Sequence, residues 1–346
     1  MAKKKEKPLT REDVLKMIEE HGGPEGLDLS ERNLEGIDLS SENIDTPIDL
    51  HDIILRKAIL SGAKLWNANL EGANLSHANV QGADLVIANL KGANLSRTNL
   101  NNANLASAIL QDAGLSNANL ENANLAEADL QNARLSMANL KGARLLNANL
   151  QGTHLMEADL DGAMLVGVKW HPKYIIGDEN LRIYGEENLD KKERDQGRRR
   201  ILGYIAGVYC NLKNVHHAAG MYDVAGAFYF REMTVRRKAL KWWPNPLPRA
   251  LSKFISVFCG YGESPLRVVI SAVTVVLGMA IGIWAASALT FLDSLYYSAV
   301  SFTALGYGLW VSPPEGWVKA LGAAEAFIGV FMIALFLITF VRKMTR

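Results

Sequence analysis

Leucine recurs at every fifth position through much of the N-terminal half of this chain. From Leu50 to Leu165 the single exception is Val80. The residue two positions before each leucine is alanine almost throughout, and asparagine or aspartate commonly stands between the two. A period of five fits neither the repeat of an α-helix nor the alternation of a β-strand. It predicts a solenoid in which the Leu and Ala rows line the inside.

This pattern resembles the pentapeptide-repeat family. The resemblance implies a right-handed quadrilateral β-helix with four repeats per coil, over residues 27–168. A weaker run keeps the same spacing and slips by one residue before Leu50; it consists of Leu29, Leu34, Leu39 and Ile44. With that run the sequence predicts 28 repeats, which is about seven coils.

A short amphipathic helix is predicted ahead of the repeats, within residues 1–26. It covers residues 9–21, with Thr10 as N-cap and Asp13 at the third helical position. Gly22 and Gly23 end it. Such a helix would cover the first coil, whose open edge would otherwise aggregate.

Two long apolar stretches occupy the C-terminal part. Val268 to Thr290 has no charged side chain, and Ala320 to Val341 has only Glu325. Each is long enough to cross about 30 Å of hydrocarbon. Lys and Arg concentrate outside these stretches, whereas the loop between them has only Lys319. The positive-inside rule therefore predicts a multi-pass plasma-membrane protein with both termini in the cytoplasm.

A Gly-Tyr-Gly motif stands between the two apolar stretches. Ahead of it, Asp293 or Ser294 is predicted to cap a short helix from Leu295 to Thr303. Glycine permits backbone conformations that point successive carbonyl oxygens the same way. Four such segments around one axis would replace the water shell of a cation. The predicted filter consists of Thr303, Ala304, Leu305, Gly306, Tyr307 and Gly308; an ordinary helical hairpin with a polar loop is the alternative.

Residues 263–346 resemble the two-transmembrane potassium channels of prokaryotes, with an outer helix, pore helix, filter and inner helix in that order. The usual filter of that family reads Thr-Thr-Val-Gly-Tyr-Gly-Asp. Here Thr303 and the Gly-Tyr-Gly motif match it, while Leu305 replaces valine, Ala304 the second threonine and Leu309 the aspartate. The resemblance implies a homotetramer in a lipid bilayer that holds K⁺ or another monovalent cation and needs no cofactor. The two lost polar groups leave open a non-conducting relative.

Two positions of the second apolar stretch carry further hypotheses. The resemblance implies that Gly329 is the gate or hinge of the inner helix, and close packing with Gly278 and Gly282 of the outer helix is the alternative. An ionisable group within a membrane span is usually partnered or functional. Glu325 is therefore predicted to support the filter by bracing the pore helix, unless it reaches the nearby interface. The bracing hydroxyl would be Ser298, Ser301 or Thr303.

Residues 169–241 are predicted to join the two halves. They divide into a charged, solvated connector at 176–200 and two amphipathic helices at 201–220 and 222–241. No metal site is predicted, because His216, His217 and Cys210 lack the spacing of a metal-binding motif.

Residues 242–262 are predicted to form a helix along the inner leaflet. They carry Trp242, Trp243 and an apolar face that includes Leu251 and Phe254. Tryptophan and an apolar face beside basic residues are typical of interfacial helices.

Charge and the absence of catalytic motifs limit the function classes. The net charge is −8 for residues 1–166 and +9 for residues 167–346, which favours an anionic leaflet beside the second half. Acids and bases are interspersed along the repeats, so a DNA mimic that binds topoisomerases is the weakest alternative, and no nucleic-acid partner is predicted. No enzyme motif is present. The favoured function is a tetrameric cation channel whose cytoplasmic solenoid regulates it or binds a protein partner. The rival is a membrane-anchored scaffold with a non-conducting channel-like domain.

Overall fold

The chain divides into two compact units, Met1–Ala239 and Leu240–Arg346. The computed structural model describes residues 7–41, 45–173, 176, 191–240, 246–304 and 316–344. Its α-helices are α1 (Arg11–His21), α2 (Lys191–Ala218), α3 (Tyr222–Ala239), α4 (Leu247–Cys259), α5 (Pro265–Ala286), α6 (Phe291–Thr303) and α7 (Trp317–Met344).

Parallel backbone bridges stack the repeats into coils. From Asp49 onward each bridge joins residues 20 apart, as in the run Asn79, Asn99, Asn119 and Asn139. Each coil therefore takes four pentapeptides and turns at four corners, with the leucine and alanine rows buried inside. Among the described coils these are isolated bridges rather than strands, because only three residues lie between successive turns. The predicted solenoid fits this ladder, and its right-handed sense stays a prediction.

Residues 74–78 illustrate how a pentapeptide with Asn between Ala and Leu provides an acceptor for each of its backbone N–H groups. Asn74 donates to the preceding coil, and Leu75 and His77 donate to the following one. Ala78 closes a turn on the Leu75 carbonyl, at 3.0 Å. The remaining N–H, of Ser76, donates to the side-chain oxygen of Asn74 at 3.1 Å. This last bond explains the recurring Asn or Asp between Ala and Leu, since buried or half-buried N–H groups need an acceptor.

The asparagine ladder supports a stability prediction at Asn119. Its amide donates to Asn99 at 3.2 Å, and its oxygen accepts from Asn139 at 3.0 Å and from the Glu121 N–H at 3.3 Å. We expect Asn119→Ala to lower the free energy of unfolding by about 1 kcal/mol, measured by circular dichroism of the full chain during heating in detergent. The control Gln131→Ala should stay within about 0.5 kcal/mol. Equal losses in both variants would contradict the role of the ladder.

The first coil contains an insertion. Asp49 pairs with Asn69 at the ordinary spacing, but three earlier bridges span 26 residues: Asp28–Ile54, Asn33–Ile59 and Asp38–Lys64. Six extra residues therefore enter between Asp38 and Asp49. The prediction that the repeat slips by a single residue after Ile44 is wrong, because Asp49 takes the bridge position on the fourth side of the first coil. Ile44 itself lies outside the described residues.

Helix α1 caps the first coil as predicted. Thr10 and Asp13 form a reciprocal capping box, and Gly22 ends the helix at φ 85°. Val14 is fully buried in the same core as the solenoid leucines. Arg11 donates to the Ser40 carbonyl at 2.8 Å, so the helix closes the end of the solenoid with both apolar and polar contacts.

Helices α2 and α3 pack on each other beyond the solenoid. Leu212 and Phe228 are fully buried between them, and Trp170 contacts the Phe228 ring edge-on at 5.0 Å. Helix α2 begins at Lys191, so the last ten residues of the predicted charged connector, 191–200, are helical. Their charged side chains suit a solvated helix as well as a loop.

The buried His216 predicts that this helix pair loses stability in acid. The side chain is fully buried beside Trp170 and Phe228, and its Nδ1 lies 2.8 Å from the Leu212 carbonyl. Burial lowers the pKa of His216 below the ordinary 6.5 because desolvation penalises the imidazolium. The unfolded state then binds the proton more readily, so stability is lost as the pH falls below 6.5.

We therefore expect faster hydrogen exchange in α2 and α3 at about pH 5.5 than at about pH 7.5, after correction for intrinsic rates. His216→Gln should remove most of this extra pH dependence, whereas His217→Gln should keep it. Hydrogen exchange of the full chain, read by mass spectrometry, measures both. Identical pH profiles in the two variants would contradict the assignment to His216.

The second unit contains two helices that are long and apolar enough to cross a membrane. These spans are Pro265–Ala286 and Trp317–Val341, each with a mean hydropathy of 2.4. Large apolar side chains remain exposed on both; they include Ile270, Val273, Trp284, Phe327, Val330 and Phe331. Lipid or further copies of the chain would cover such a surface. The first span ends at Ala286, four residues before the predicted end at Thr290.

Helix α4 has the amphipathic character predicted for an interfacial helix. It exposes Leu247, Leu251, Phe254 and Val257 on the unit's own surface. A left-handed Gly260 ends it, and Arg267 of α5 donates to the Ser256 carbonyl at 3.2 Å, fixing the elbow between α4 and α5. Trp242 and Trp243 lie outside the described residues.

Candidate functional site

Helix α6 is a short helix between the two spans. Its N-cap is Thr290, whose hydroxyl accepts from the Asp293 N–H at 3.2 Å and donates to the Asp293 carboxylate at 2.7 Å. The sequence predicted a helix from Leu295 capped by Asp293 or Ser294, and this is wrong by four residues. Threonine at the N-cap and an acid at the third position are the residue types of a capping box, and here the acid accepts from the threonine hydroxyl.

One face of α6 is buried between α5 and α7. The buried residues are Ser294, Tyr297, Ser298, Ser301 and Phe302, at the spacing of a single helical face. Tyr297 packs with Ile283 of α5 and Val318 of α7, and Phe302 packs with Val268 and Met332 of the same two helices. Both spans therefore hold the short helix along its length.

Helix α7 meets α6 along a seam formed by Gly322, Glu325 and Gly329. A Cβ added at Gly329 would overlap the Phe302 carbonyl oxygen and lie 2.9 Å from the Phe302 Cα. A Cβ added at Gly322 would overlap the Tyr297 hydroxyl and lie 3.0 Å from its ring. Real Cβ contacts are essentially never this short. Both glycines are therefore needed for the close approach of the two helices.

Glu325 lies in the middle of this seam and is fully buried. The Ser298 hydroxyl hydrogen-bonds to its Oε1 and lies 2.8 Å from the Val276 carbonyl of α5. One hydroxyl of α6 thus connects all three helices. Within the part of the chain that the structure describes, Glu325 Oε2 and Ser294 Oγ have no hydrogen-bond partner.

The end of α6 brings the chain to the predicted filter. Thr303 is the last helical residue, and its hydroxyl donates back to the Ala299 carbonyl at 2.9 Å. Ala304 is the C-cap, with φ 56°, and its N–H donates to the Ser301 carbonyl. A β-branched threonine at this left-handed position would be more strained than alanine. Leu305, Gly306, Tyr307 and Gly308 lie outside the described residues, as does Leu309.

The structure brings Glu325 and Gly329 together on one seam, with Ser298 as the hydroxyl that contacts Glu325. It places Gly329 against α6, whereas a Cβ added at Gly278 or Gly282 of α5 would meet open space. Within one chain, close packing through those two outer-helix glycines is therefore not observed. Sequence reasoning missed Gly322 and its close approach to Tyr297. The signal was available, because Gly322, Glu325 and Gly329 recur at the spacing of one helical face.

No group of three His, Cys, Asp or Glu side chains among the described residues could hold a metal ion. The chemistry of the site is that of positioned backbone and hydroxyl groups between apolar helices. Such an arrangement positions the end of α6, whose last carbonyls carry partial negative charge.

These features define a membrane protein in which two spanning helices hold a short intervening helix, joined in sequence to a pentapeptide solenoid. The family model described as "ion channel" matches residues 267–346. The model described as "pentapeptide repeats (8 copies)" matches residues 49–86, 88–122, 108–147 and 133–169. The chain thus carries pentapeptide repeats in its N-terminal part and an ion-channel domain at its C-terminus. The channel domain indicates an oligomeric membrane assembly.

Several solved pentapeptide repeat proteins are similar to part of the chain. HetL, involved in heterocyst differentiation regulation in the cyanobacterium Nostoc sp. strain PCC 7120, is 28% identical over 46% of this chain and 94% of its own, with a TM-score of 0.25. A protein from the thylakoid lumen of Arabidopsis thaliana is 28% identical over 34% of this chain and 68% of its own, with a TM-score of 0.19. Scores this low carry no weight for the fold. No curated protein sequence matches the chain.

Proposed function

We propose that the chain forms a tetrameric, potassium-conducting channel in a prokaryotic plasma membrane, with both termini in the cytoplasm. The observation that carries the proposal is helix α6, which is held by both spans and ends at Ala304, directly before Leu305-Gly306-Tyr307-Gly308. The carbonyl end of a helix favours a cation. A Gly-Tyr-Gly backbone can then offer carbonyl oxygens to that ion.

Assembly follows from the size of the channel domain. Two spanning helices enclose no pathway, so several copies must surround one axis, and a closed ring of four matches the resemblance. The exposed apolar side chains of α7, including Phe327 and Phe331, are available for lipid and for neighbouring copies. In this proposal Glu325 supports the filter through Ser298, and Gly329 holds the inner helix against the filter base.

The solenoid is proposed to lie in the cytoplasm, where it regulates the pore or binds a protein partner. The interfacial helix α4 links it to the membrane in sequence. Its exposed Leu251 and Phe254 fit the acyl boundary of the inner leaflet, beside Arg249 and Lys253 near the headgroups.

Liposome flux tests the proposal. The purified full chain should assemble as a tetramer and release K⁺ down a gradient in a barium-sensitive manner. Gly306→Ala should abolish flux, because a side chain at this position restricts the backbone of the filter. Gly278→Ala, which meets open space, is the matched control and should conduct. A monomer in both detergent and lipid would overturn the proposal.

A membrane-anchored scaffold is the second candidate. Ala304 lacks the hydroxyl, and Leu309 the carboxylate, that the usual potassium filter carries at these places. Confirmed tetramers without ion flux in native liposomes would favour this scaffold, in which the channel-like domain only anchors and assembles the solenoids.

A further inference from the structure

One corner of the solenoid is apolar in six successive coils. The corner residues, 20 apart, are Trp66, Val86, Ala106, Ala126, Leu146 and Val166, and together they are called the apolar corner here. Each is directly stacked on the next: the residue after each of the first five donates its N–H to the next corner residue's carbonyl, at 2.8 to 3.0 Å. The set is therefore a continuous strip along the solenoid.

The other three corners are polar at the matched positions. Among the described coils from residue 51 to residue 161, Met156 is the single apolar residue in those rows. Five large apolar side chains of the described solenoid are exposed, and three of them lie at or beside the strip. Val166 belongs to the strip, and Met164 and Ile109 flank it. Ile59 and Met137 lie elsewhere. Val166 is exposed and the other five strip residues are half-buried, and an apolar surface row of this length marks an interaction surface.

We propose that the apolar corner binds the apolar corner of a second copy of this chain, in antiparallel orientation. The size profile of the six side chains is similar when the strip is read from either end, so the strip can meet itself in the antiparallel sense. The strip is large at both ends and smallest at Ala106 and Ala126 in its centre. In an isologous contact, residue i meets residue j and the reverse pair occurs as well. Trp66 then meets the partner's Val166, and Ala106 meets the partner's Ala126.

Charge favours the same orientation. The face beside the strip carries one ladder that runs from Lys64 through Asp84, Asn104, Asn124 and Arg144 to Met164. In the antiparallel pair this face meets itself, so Asp84 faces the partner's Arg144 and the contact occurs twice. In a parallel pair this face would meet the opposite flank of the partner's strip. Asp84 would then face the partner's Asn89, and Arg144 would face the partner's Asn149. The two Asp84–Arg144 contacts between opposite charges, each one coil in from an end of the ladder, therefore favour the antiparallel arrangement.

Assembly of the channel domain also makes a second copy of the chain available as the partner. Oligomerisation of that domain brings identical solenoids together at a high effective concentration, so a modest apolar strip suffices for binding. The inference uses the proposed function only in this respect. It requires assembly and is independent of conduction, so flux and solenoid pairing can fail separately.

Disulfide trapping tests the pairing in membranes that contain the full chain. Two differently tagged chains, Trp66→Cys and Val166→Cys, are co-expressed in a background with Cys210→Ser and Cys259→Ser. Mild oxidation should give the mixed dimer, and neither variant alone should cross-link. The matched control pair, Ser61→Cys with Asp161→Cys, lies at the same heights on another corner and should give severalfold less mixed dimer.

The outcomes separate the alternatives. Cross-linking of Val166→Cys with itself would indicate parallel solenoids and overturn the proposal, as would equal mixed dimer in the control pair. Absence of mixed dimer both with oxidant and with a longer bis-maleimide linker would also overturn it. A foreign protein cross-linked at Trp66→Cys in place of the second copy would assign the strip to another partner.

A charge reversal gives an independent test. Asp84→Arg alone and Arg144→Asp alone should each reduce the mixed dimer severalfold, and the double variant should restore it. A structural role of either residue within its own coil predicts no such rescue. Circular dichroism of each variant confirms that the solenoid is folded. Failure of the double variant to restore pairing, with the fold intact, would contradict the antiparallel contact.

Discussion

Gly329→Ala is expected to abolish K⁺ flux and to lower the thermal stability of the assembled channel domain. The new methyl group would overlap the Phe302 carbonyl oxygen, which is backbone at the C-terminal end of α6 and cannot rotate away. Helix α7 must then move off α6, next to the predicted filter. Overpacking of this kind costs about 1–3 kcal/mol. Flux from liposomes and the melting temperature of the oligomer measure the two effects.

The matched controls are Gly278→Ala and Gly282→Ala, which add the same methyl group to a spanning helix where it meets open space. Both should keep flux and melting temperature close to those of the native chain. The hinge hypothesis for Gly329 makes a different prediction. A residue that only bends in the open state would change open probability and leave the melting temperature unchanged, and that result would contradict the packing role.

Glu325→Ala is expected to destabilise the channel domain by about 1–3 kcal/mol, because it removes the buried partner of the Ser298 hydroxyl. Ser298 belongs to α6 and also contacts the Val276 carbonyl of α5, so the loss would loosen three helices at once. Glu325→Gln keeps an oxygen acceptor of similar shape and should retain most of the stability and flux. Thermal unfolding of the oligomer and liposome flux measure both variants.

A double-mutant cycle with Ser298→Ala distinguishes two roles of Glu325: a contact with Ser298 inside the seam, and a contact of the carboxylate with the membrane interface. If Ser298 and Glu325 act together, the double variant should lose less than the sum of the single losses, with a coupling of about 0.5–3 kcal/mol. Additive losses, together with equal behaviour of Glu325→Gln and Glu325→Ala, would indicate that the carboxylate only reaches the membrane interface.

The solenoid and the spans could be predicted from the sequence because each depends on a repeated or uniform pattern. Leucine every fifth residue indicates an inside row without knowledge of any contact. A long uncharged stretch such as Val268–Thr290 predicts a span from its length alone. The cap of α1 was also predictable, since Thr10 and Asp13 lie three residues apart and interact locally.

The sequence predictions that were wrong or absent concern features that depend on other parts of the chain. Thr290 caps α6 because the preceding span ends at Ala286, and a sequence reading that extended the span to Thr290 removed that candidate. The spacing of Gly322, Glu325 and Gly329 indicates one helical face, but the element that this face contacts is known only from the structure, which places Tyr297 opposite Gly322. The six extra residues before Asp49 were read as a slip of one, because a five-residue period looks the same whether or not one whole repeat has been bypassed.

Four pentapeptides per coil also constrain how this solenoid can change in length. Adding or deleting a single repeat would keep every leucine inside, yet it would rotate all later corners by a quarter of a revolution relative to the earlier ones. Only a change of 20 residues keeps each face of the later coils in line with the same face of the earlier coils. Length variation among descendants of this chain should therefore proceed in whole coils wherever Trp66 and Val166 must stay in line.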